Sequence, residues 1–265
     1  MTKLLHENLT RPIIGAYFDV YNRLGQGYPE HIYENAMMLT LDRSGVSCKR
    51  QDEYEIHYKD RLVGVQRLDI FVADEVVVEL KVAERIDPIH LAQLLSYLKT
   101  VAKPVGLLFR FGGPEPEFAR RVLTPHAWEE IIQPSFNDPT DRSDLLFPEL
   151  TAELIGGALD VFKTLGPGFI HRIYANACFH ELRLRGLEVL PRSEFHVFLG
   201  DTDLGAIKLG HLQVDTRILV FPVALSNPAE LHIANLKAWM HHLNVPLGIV
   251  FNFKATRLEP LILRL

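Results

Sequence analysis

Asp69 closes one alternating run of residues, and ten positions later Glu79, Leu80 and Lys81 sit inside a stretch rich in valine, with Val76, Val77, Val78 and Val82 around them. In an extended strand alternate residues share a face, so Glu79 and Lys81 project together while Leu80 turns to the core. A hairpin between the two runs brings Asp69 beside them. Two carboxylates converging on one point bind a hard divalent cation through oxygen, and an adjacent ammonium can orient a water or stabilise charge on a phosphate. Taken alone, the same residues also fit an exposed ion pair on an edge strand, because charged side chains mostly face water. Gln93 and Tyr97, four apart in a helical stretch, share a face and offer an amide and a hydroxyl to the same point. Glu30 opens a helix just after a glycine turn, where a carboxylate either reaches a metal or complements the helix N-terminus.

The elements that must position these residues are readable from periodicity. Residues 9–24 carry Ile13, Ile14, Tyr17, Phe18, Val20, Tyr21 and Leu24 on one helical face, with Thr10 as a cap ahead of Pro12. A second helix is expected over 29–43, with proline in its first turn and Gly45 as its stop. Three strands follow in a meander: one through Tyr54, Ile56 and Tyr58, one over 62–72 and one over 75–82, with Asp60 and Asp74 at the turns. A helix over 89–100 has Asp87 as its cap and Pro88 in its first turn, and strands over 104–111 and 118–123 complete the unit. The order ααβββαβ(β) is that of an α/β sandwich.

That unit occurs twice. Leu24-Gly25-Gln26-Gly27 recurs as Leu165-Gly166-Pro167-Gly168, and Ile32-Tyr33-Glu34-Asn35-Ala36 as Ile173-Tyr174-Ala175-Asn176-Ala177, at an offset of 168 − 27 = 141. Gln93-Leu94 matches Asn235-Leu236 at 142, and matching by residue type pairs Asp69 with Asp215 at 146. The drift implies an insertion near 200–204 and a shorter segment after Asp215. Residues 133–148 are polar and proline-bearing in their first part and are expected to link a first domain over 1–132 to a second over 149–265.

Composition limits the partners. The chain has 265 residues, 48% of them hydrophobic and 23% charged, which suits a globular protein and excludes disordered or fibrous classes. A net charge of −5 gives no global basic signature, although a metal-dependent site needs carboxylates and a local basic strip can sit within an acidic total. Lys49, Arg50, Arg61, Arg67, Arg85 and Lys99 are the candidates for phosphate contacts near the first site, and equally for a solvated surface. Cys48 and Cys178 form neither a disulfide framework nor a zinc motif, and the absence of an apolar span or leader points to a cytoplasmic protein with no membrane partner. The absence of a GxxxxGK[ST] loop argues against ATP coupling, and that of an RNP aromatic motif favours DNA over RNA.

Taken together, Asp69, Glu79-Leu80-Lys81 and Gln93-x-x-x-Tyr97 resemble the ordered motifs of the PD-(D/E)XK nuclease superfamily, with RecB-type nucleases as the nearest comparison. Gly27-Tyr28-Pro29-Glu30-His31-Ile32-Tyr33 resembles the signature of the GxxExxY proteins; RecB-type enzymes carry a histidine where this chain has Glu30. The resemblance implies two tandem restriction-endonuclease-like units of αββαβ type, each a mixed sheet flanked by helices. It further implies Mg²⁺ or Mn²⁺ as cofactor, held by Asp69, Glu79, the Leu80 carbonyl and Glu30. Lys81 would orient the attacking water, and Gln93 and Tyr97 would position substrate or water. The implied activity is a metal-dependent deoxyribonuclease in the first unit. In the second copy Glu30 falls on His171, Glu79 on Phe221, Lys81 on Val223 and Tyr97 on Trp239, so that copy is expected to be catalytically dead. It would then be kept as half of an intramolecular pseudo-dimer, with higher oligomers open. The competing expectation is an inactive nucleic-acid or protein interaction module built on nuclease folds.

Overall fold

The computed structural model describes residues 4–131 and 146–265, so most of the expected linker over 133–148 lies outside the described residues. The chain divides into two units, one of residues 1–56 with 65–132 and one of residues 57–64 with 133–265.

The first unit opens with α1 (Glu7–Leu24) and α2 (Glu30–Arg43). Thr10 is buried inside α1 rather than capping it, because its N–H bonds the His6 carbonyl at 2.9 Å and the helix begins a turn earlier. The sheet that follows comprises β1 (Cys48–Tyr58), β2 (Arg61–Val72), β3 (Val76–Lys81), β4 (Val105–Arg110) and β5 (Glu117–Val122), in that spatial order. β2 and β4 flank β3, antiparallel and parallel respectively, and β5 returns antiparallel to β4. A parallel pair needs a crossover, which α3 (Pro88–Thr100) supplies between β3 and β4. A short α4 (Pro125–Ile131), absent from the sequence expectation, follows β5.

Strand alternation divides the side chains between two layers. Val76, Val78 and Leu80 of β3 join Val105, Leu107 and Phe109 of β4 in a core against Ile13, Tyr17 and Tyr21 of α1 and Tyr33, Met37 and Leu41 of α2. Val77, Glu79 and Lys81 therefore face the opposite side. There α3 lies so close that a Cβ at Gly106 would meet Leu94 Cδ1 at 2.7 Å, which requires glycine.

The second unit repeats the order with α5 (Pro148–Leu165), α6 (His171–Leu184), β6 (Val189–Leu199), β7 (Thr202–Val214), β8 (Ile218–Val223), α7 (Ile233–His242), β9 (Leu247–Asn252) and β10 (Pro260–Arg264). Its sheet order is β10-β9-β8-β7-β6, again with one parallel pair, β8 and β9.

Sheet register corrects the pairing of Asp69 with Asp215. Ile70, Phe71 and Val72 pair with Val78, Val77 and Val76, while Leu212, Gln213 and Val214 pair with Val220, Leu219 and Ile218. The offset is thus 142 on both strands, and His211 stands where Asp69 stands. Asp215 instead begins the β7–β8 turn at φ 46°, the counterpart of Ala73 at φ 52°. A one-residue slip would move every side chain to the other face, so pleat and turn fix the register more firmly than matching residue types. The expected insertion at 200–204 is also displaced: both hairpins turn over two residues, and the second copy's extra residue is absorbed by register shifts within β6 and β7.

Candidate metal centre

Two elements present the acidic side chains of the first unit. On α2, Glu30 and Glu34 are one turn apart and share a face; on β2, Asp69 directly precedes Ile70, whose partner on β3 is Val78, the neighbour of Glu79. Carboxylate oxygens of Glu30, Glu34 and Asp69 lie within 4.8 Å of one another.

The start of α2 is set by a glycine turn and a tyrosine. Gly25 and Gly27 have φ of 66° and 105°, left-handed backbone that favours glycine. Tyr33, one turn into α2, donates its hydroxyl to the Gly25 carbonyl at 2.9 Å and accepts the Tyr28 N–H at 3.3 Å, while its ring stacks on Phe111 at 4.1 Å. The second unit has the same lock, with Tyr174 bonded to the Gly166 carbonyl at 2.7 Å and to the Phe169 N–H at 3.2 Å. The repeated glycine and tyrosine residues are therefore a positioning device for whatever opens the helix, Glu30 in one copy and His171 in the other.

Glu79 is buried at 1% exposure, and Lys81 donates to its Oε1 at 2.5 Å, whereas its Oε2 is buried without a hydrogen-bond partner. Asp69 Oδ2 accepts the Leu80 N–H at 2.9 Å. Burial, reinforced by the Glu79 and Glu30 charges, pushes the Asp69 carboxyl up to about 8 against the opposing pull of Lys81 and the Leu80 N–H. Burial likewise raises Glu79, with Lys81 opposing. Lys81 loses solvation too, but Glu79, Asp69 and Glu30 outweigh that loss and hold its ammonium above its ordinary range. The centre thus gathers carboxylates around one firmly protonated lysine, a state that is costly without further positive charge.

Of the residues expected from sequence, Glu30, Asp69, Glu79 and Lys81 are drawn into this one electrostatic cluster. Gln93 and Tyr97 meet each other, Gln93 Nε2 donating to the Tyr97 hydroxyl at 2.6 Å on α3. Glu34 was not anticipated; it is buried and accepts from Arg50 Nε at 2.8 Å and Gln51 Nε2 at 3.1 Å. Its signal lay in the i, i+4 spacing from Glu30 and in Ala175 at the matching place of the second copy. Four of the basic candidates are engaged by carboxylates: Lys49 by Asp74, Arg50 by Glu34, Arg67 by Glu53 and Arg85 by Asp87. Lys99 lies 4.0 Å over the Trp128 ring.

In the second unit the same positions hold a different chemistry. His171, Ala175, His211, Phe221 and Val223 replace Glu30, Glu34, Asp69, Glu79 and Lys81, and His211 is buried against the Phe221 and Trp239 rings, each 5.7 Å away. No carboxylate remains at these places for a hard cation.

A mixed sheet between helices, with acidic residues and a lysine at adjacent strand ends, defines a nuclease-type α/β fold. The sequence model of the PD-(D/E)XK nuclease superfamily matches residues 7–122 and again 148–265, and the chain belongs to that superfamily as a tandem duplication. No curated protein matches it. A solved structure titled "Crystal structure of SSO0001" is similar over 46% of this chain and 67% of that one, at 16% identity and a TM-score of 0.29. No helix among the described residues is long and apolar enough to cross a membrane.

Proposed function

We propose that the first unit is a divalent-metal-dependent nuclease that hydrolyses phosphodiester bonds of DNA, and that the second is its catalytically retired copy. The observation that carries this reading is the meeting of Glu30, Glu34 and Asp69 oxygens beside a lysine held protonated by Glu79 and Asp69.

The superfamily commonly uses divalent metals, and the donor set fits one. The ligands are hard oxygens, the buried Glu79 Oε2 lacks a hydrogen-bond partner, and the four carboxylates outnumber the neighbouring cations Lys81 and Arg50. Glu30, Asp69 and Glu79 with the Leu80 carbonyl would hold Mg²⁺ or Mn²⁺, and Glu34 joins them by its place in the trio. When bound, such an ion supplies Lewis-acid stabilisation of a phosphate and a more acidic water. The chain's own contribution is electrostatic: Lys81 keeps its proton and presents it where negative charge develops on non-bridging oxygens. Gln93 and Tyr97, hydrogen-bonded to each other, position substrate or water. DNA as the substrate rests on the motif order shared with RecB-type nucleases.

The test is cleavage of labelled single-stranded and double-stranded DNA, linear and circular, and of RNA, with Mg²⁺, Mn²⁺ or EDTA, comparing wild type with Asp69→Asn and Lys81→Ala. Metal-dependent cutting of DNA, lost in both variants, is the expected result. Cutting retained in both overturns it, and binding without turnover in either metal makes the chain an interaction module.

A further inference from the structure

The second unit shows how a hairpin of this fold is received by a helix. The tip of the β1–β2 hairpin, residues 57–64, belongs to that unit and lies on α6. Asn176 Nδ2 donates to the Val63 carbonyl at 2.7 Å, and the Tyr58 ring meets His180 edge-on at 6.4 Å. The Tyr58 hydroxyl and Lys59 Nζ both reach Glu181 Oε2, at 2.8 and 2.5 Å. A Cβ at Gly64 would stand 2.7 Å from Ile173 Cγ1, so the hairpin glycine is what allows this approach.

The duplication supplies a second set of the same parts. On α2, Ile32, Asn35 and Leu39 stand where Ile173, Asn176 and His180 stand on α6. At the same offset of 141, Leu199, Leu204 and Gly205 of the β6–β7 hairpin match Tyr58, Val63 and Gly64 in sequence, with Gly205 at φ 119° beside the register shift between Val197 and Phe198. The glycine and the asparagine are kept in both copies. Yet a Cβ at Gly205 meets nothing within 4 Å, and Leu199 and Leu204 are 73% and 61% exposed, with Leu39 at 51%. The substitutions are matched: where one hairpin and helix pair Tyr58 with His180, the other set offers Leu199 and Leu39, apolar on both sides. Exposed leucines on a hairpin tip and on a helix, at the positions that meet each other in the other copy, are apolar surface whose mutual burial is favourable.

We propose that the β6–β7 hairpin of one chain docks on the outward face of α2 in a second copy of the same chain. Asn35 Nδ2 donates to the Leu204 carbonyl, Gly205 lies against Ile32, and Leu199 packs on Leu39. Arg50 Nη1 already donates to Asn35 Oδ1, so the group that Asn35 has to offer a carbonyl is its amide nitrogen. A second copy is the occupant because, among the described residues, Leu39, Leu199 and Leu204 are all exposed and each chain carries both surfaces. We take the exchange to be reciprocal between two chains, which makes the two contacts identical and relates them by a twofold axis. The inference does not depend on catalysis.

The test is sedimentation velocity of the full chain from about 1 to 100 µM, compared with Leu39→Asp and with Leu199→Asp/Leu204→Asp. Wild type is expected to pass from one to two times 30.2 kDa with rising concentration, and each variant to weaken the dimer at least 10-fold with an unchanged circular dichroism spectrum. All three substituted side chains are exposed, so the fold does not depend on them. Mixing the two variants restores one of the two contacts and hence a weaker heterodimer. A trans disulfide between an Asn35→Cys chain and a Leu204→Cys chain supports the register. A monomer at 100 µM, a dimer indifferent to both variants, or a disulfide that forms only within a single Asn35→Cys/Leu204→Cys chain overturns the proposal.

Discussion

The Leu80 amide donates to Asp69 Oδ2 at 2.9 Å, so the strand bearing Glu79 and Lys81 also aims the carboxylate of its neighbour. β3 therefore contributes three things to the centre: a buried acid, a charged lysine and the backbone donor that fixes Asp69. A change at any of them is felt by the others, since all lie in one poorly solvated cluster.

Asp69→Asn separates function from stability. Asparagine keeps an oxygen for the Leu80 N–H but removes a carboxylate that burial and Glu79 disfavour. Cleavage is expected to fall at least about 100-fold. In EDTA the melting temperature is expected to rise by about 2–4 °C, as relief of about 1 kcal/mol would give. A thermal scan beside the cleavage assay reads both, and a fall in melting temperature would refute the like-charge account.

Glu34→Gln tests the residue that spacing alone did not single out. The amide still accepts from Arg50 and Gln51, but the trio loses a charge. Mn²⁺ affinity by titration calorimetry is expected to drop about 10-fold, in the range found when groups supporting a metal site are lost. Unchanged affinity would assign Glu34 to holding Arg50 alone.

The helices and strands of the first unit, α4 apart, were legible because each is written in local pattern: a run of valines ahead of Glu79 in β3, apolar residues every third or fourth position in α1. The tandem family match and the two mixed sheets agree with that reading. What escaped was non-local. Glu34 acquires meaning only when α2 is laid beside β2, and the counterpart of Asp69 is decided by sheet register rather than by the nearest aspartate. His211 could not be found by matching residue types, because the position had changed type.

Tyr33→Phe and Tyr174→Phe make a matched pair. Each removes a hydroxyl that bridges a glycine carbonyl and a backbone N–H ahead of a helix, at a cost of about 1–2 kcal/mol. Both are expected to lower the melting temperature. Only Tyr33→Phe is expected to weaken Mn²⁺ binding, because only its turn delivers Glu30. Equal effects on the metal would mean that the lock does not position the site.

The pH dependence of stability has a definite sign at Glu181 in the second unit. Burial opposes its charge, but hydrogen bonds from Lys59, Tyr58 and Arg185 outweigh that and hold its carboxyl below the usual carboxylate range. A carboxyl whose pKa is lower folded than unfolded binds fewer protons in the native state. Its contribution is therefore complete above the unfolded value of 4.5 and is lost as pH falls below that value through the folded one. Glu181→Gln is expected to lower the melting temperature at pH 7 and to flatten its decline between pH 5 and the acid limit, since the glutamine has no proton to take up. Tyr58, buried beside the same carboxylate and bonded to it, is raised and stays neutral throughout that window, so it adds no slope of its own. Thermal scans at closely spaced pH values check this. Parallel profiles for wild type and variant would show that the acid-sensitive group lies elsewhere, whereas convergence toward low pH assigns the slope to Glu181.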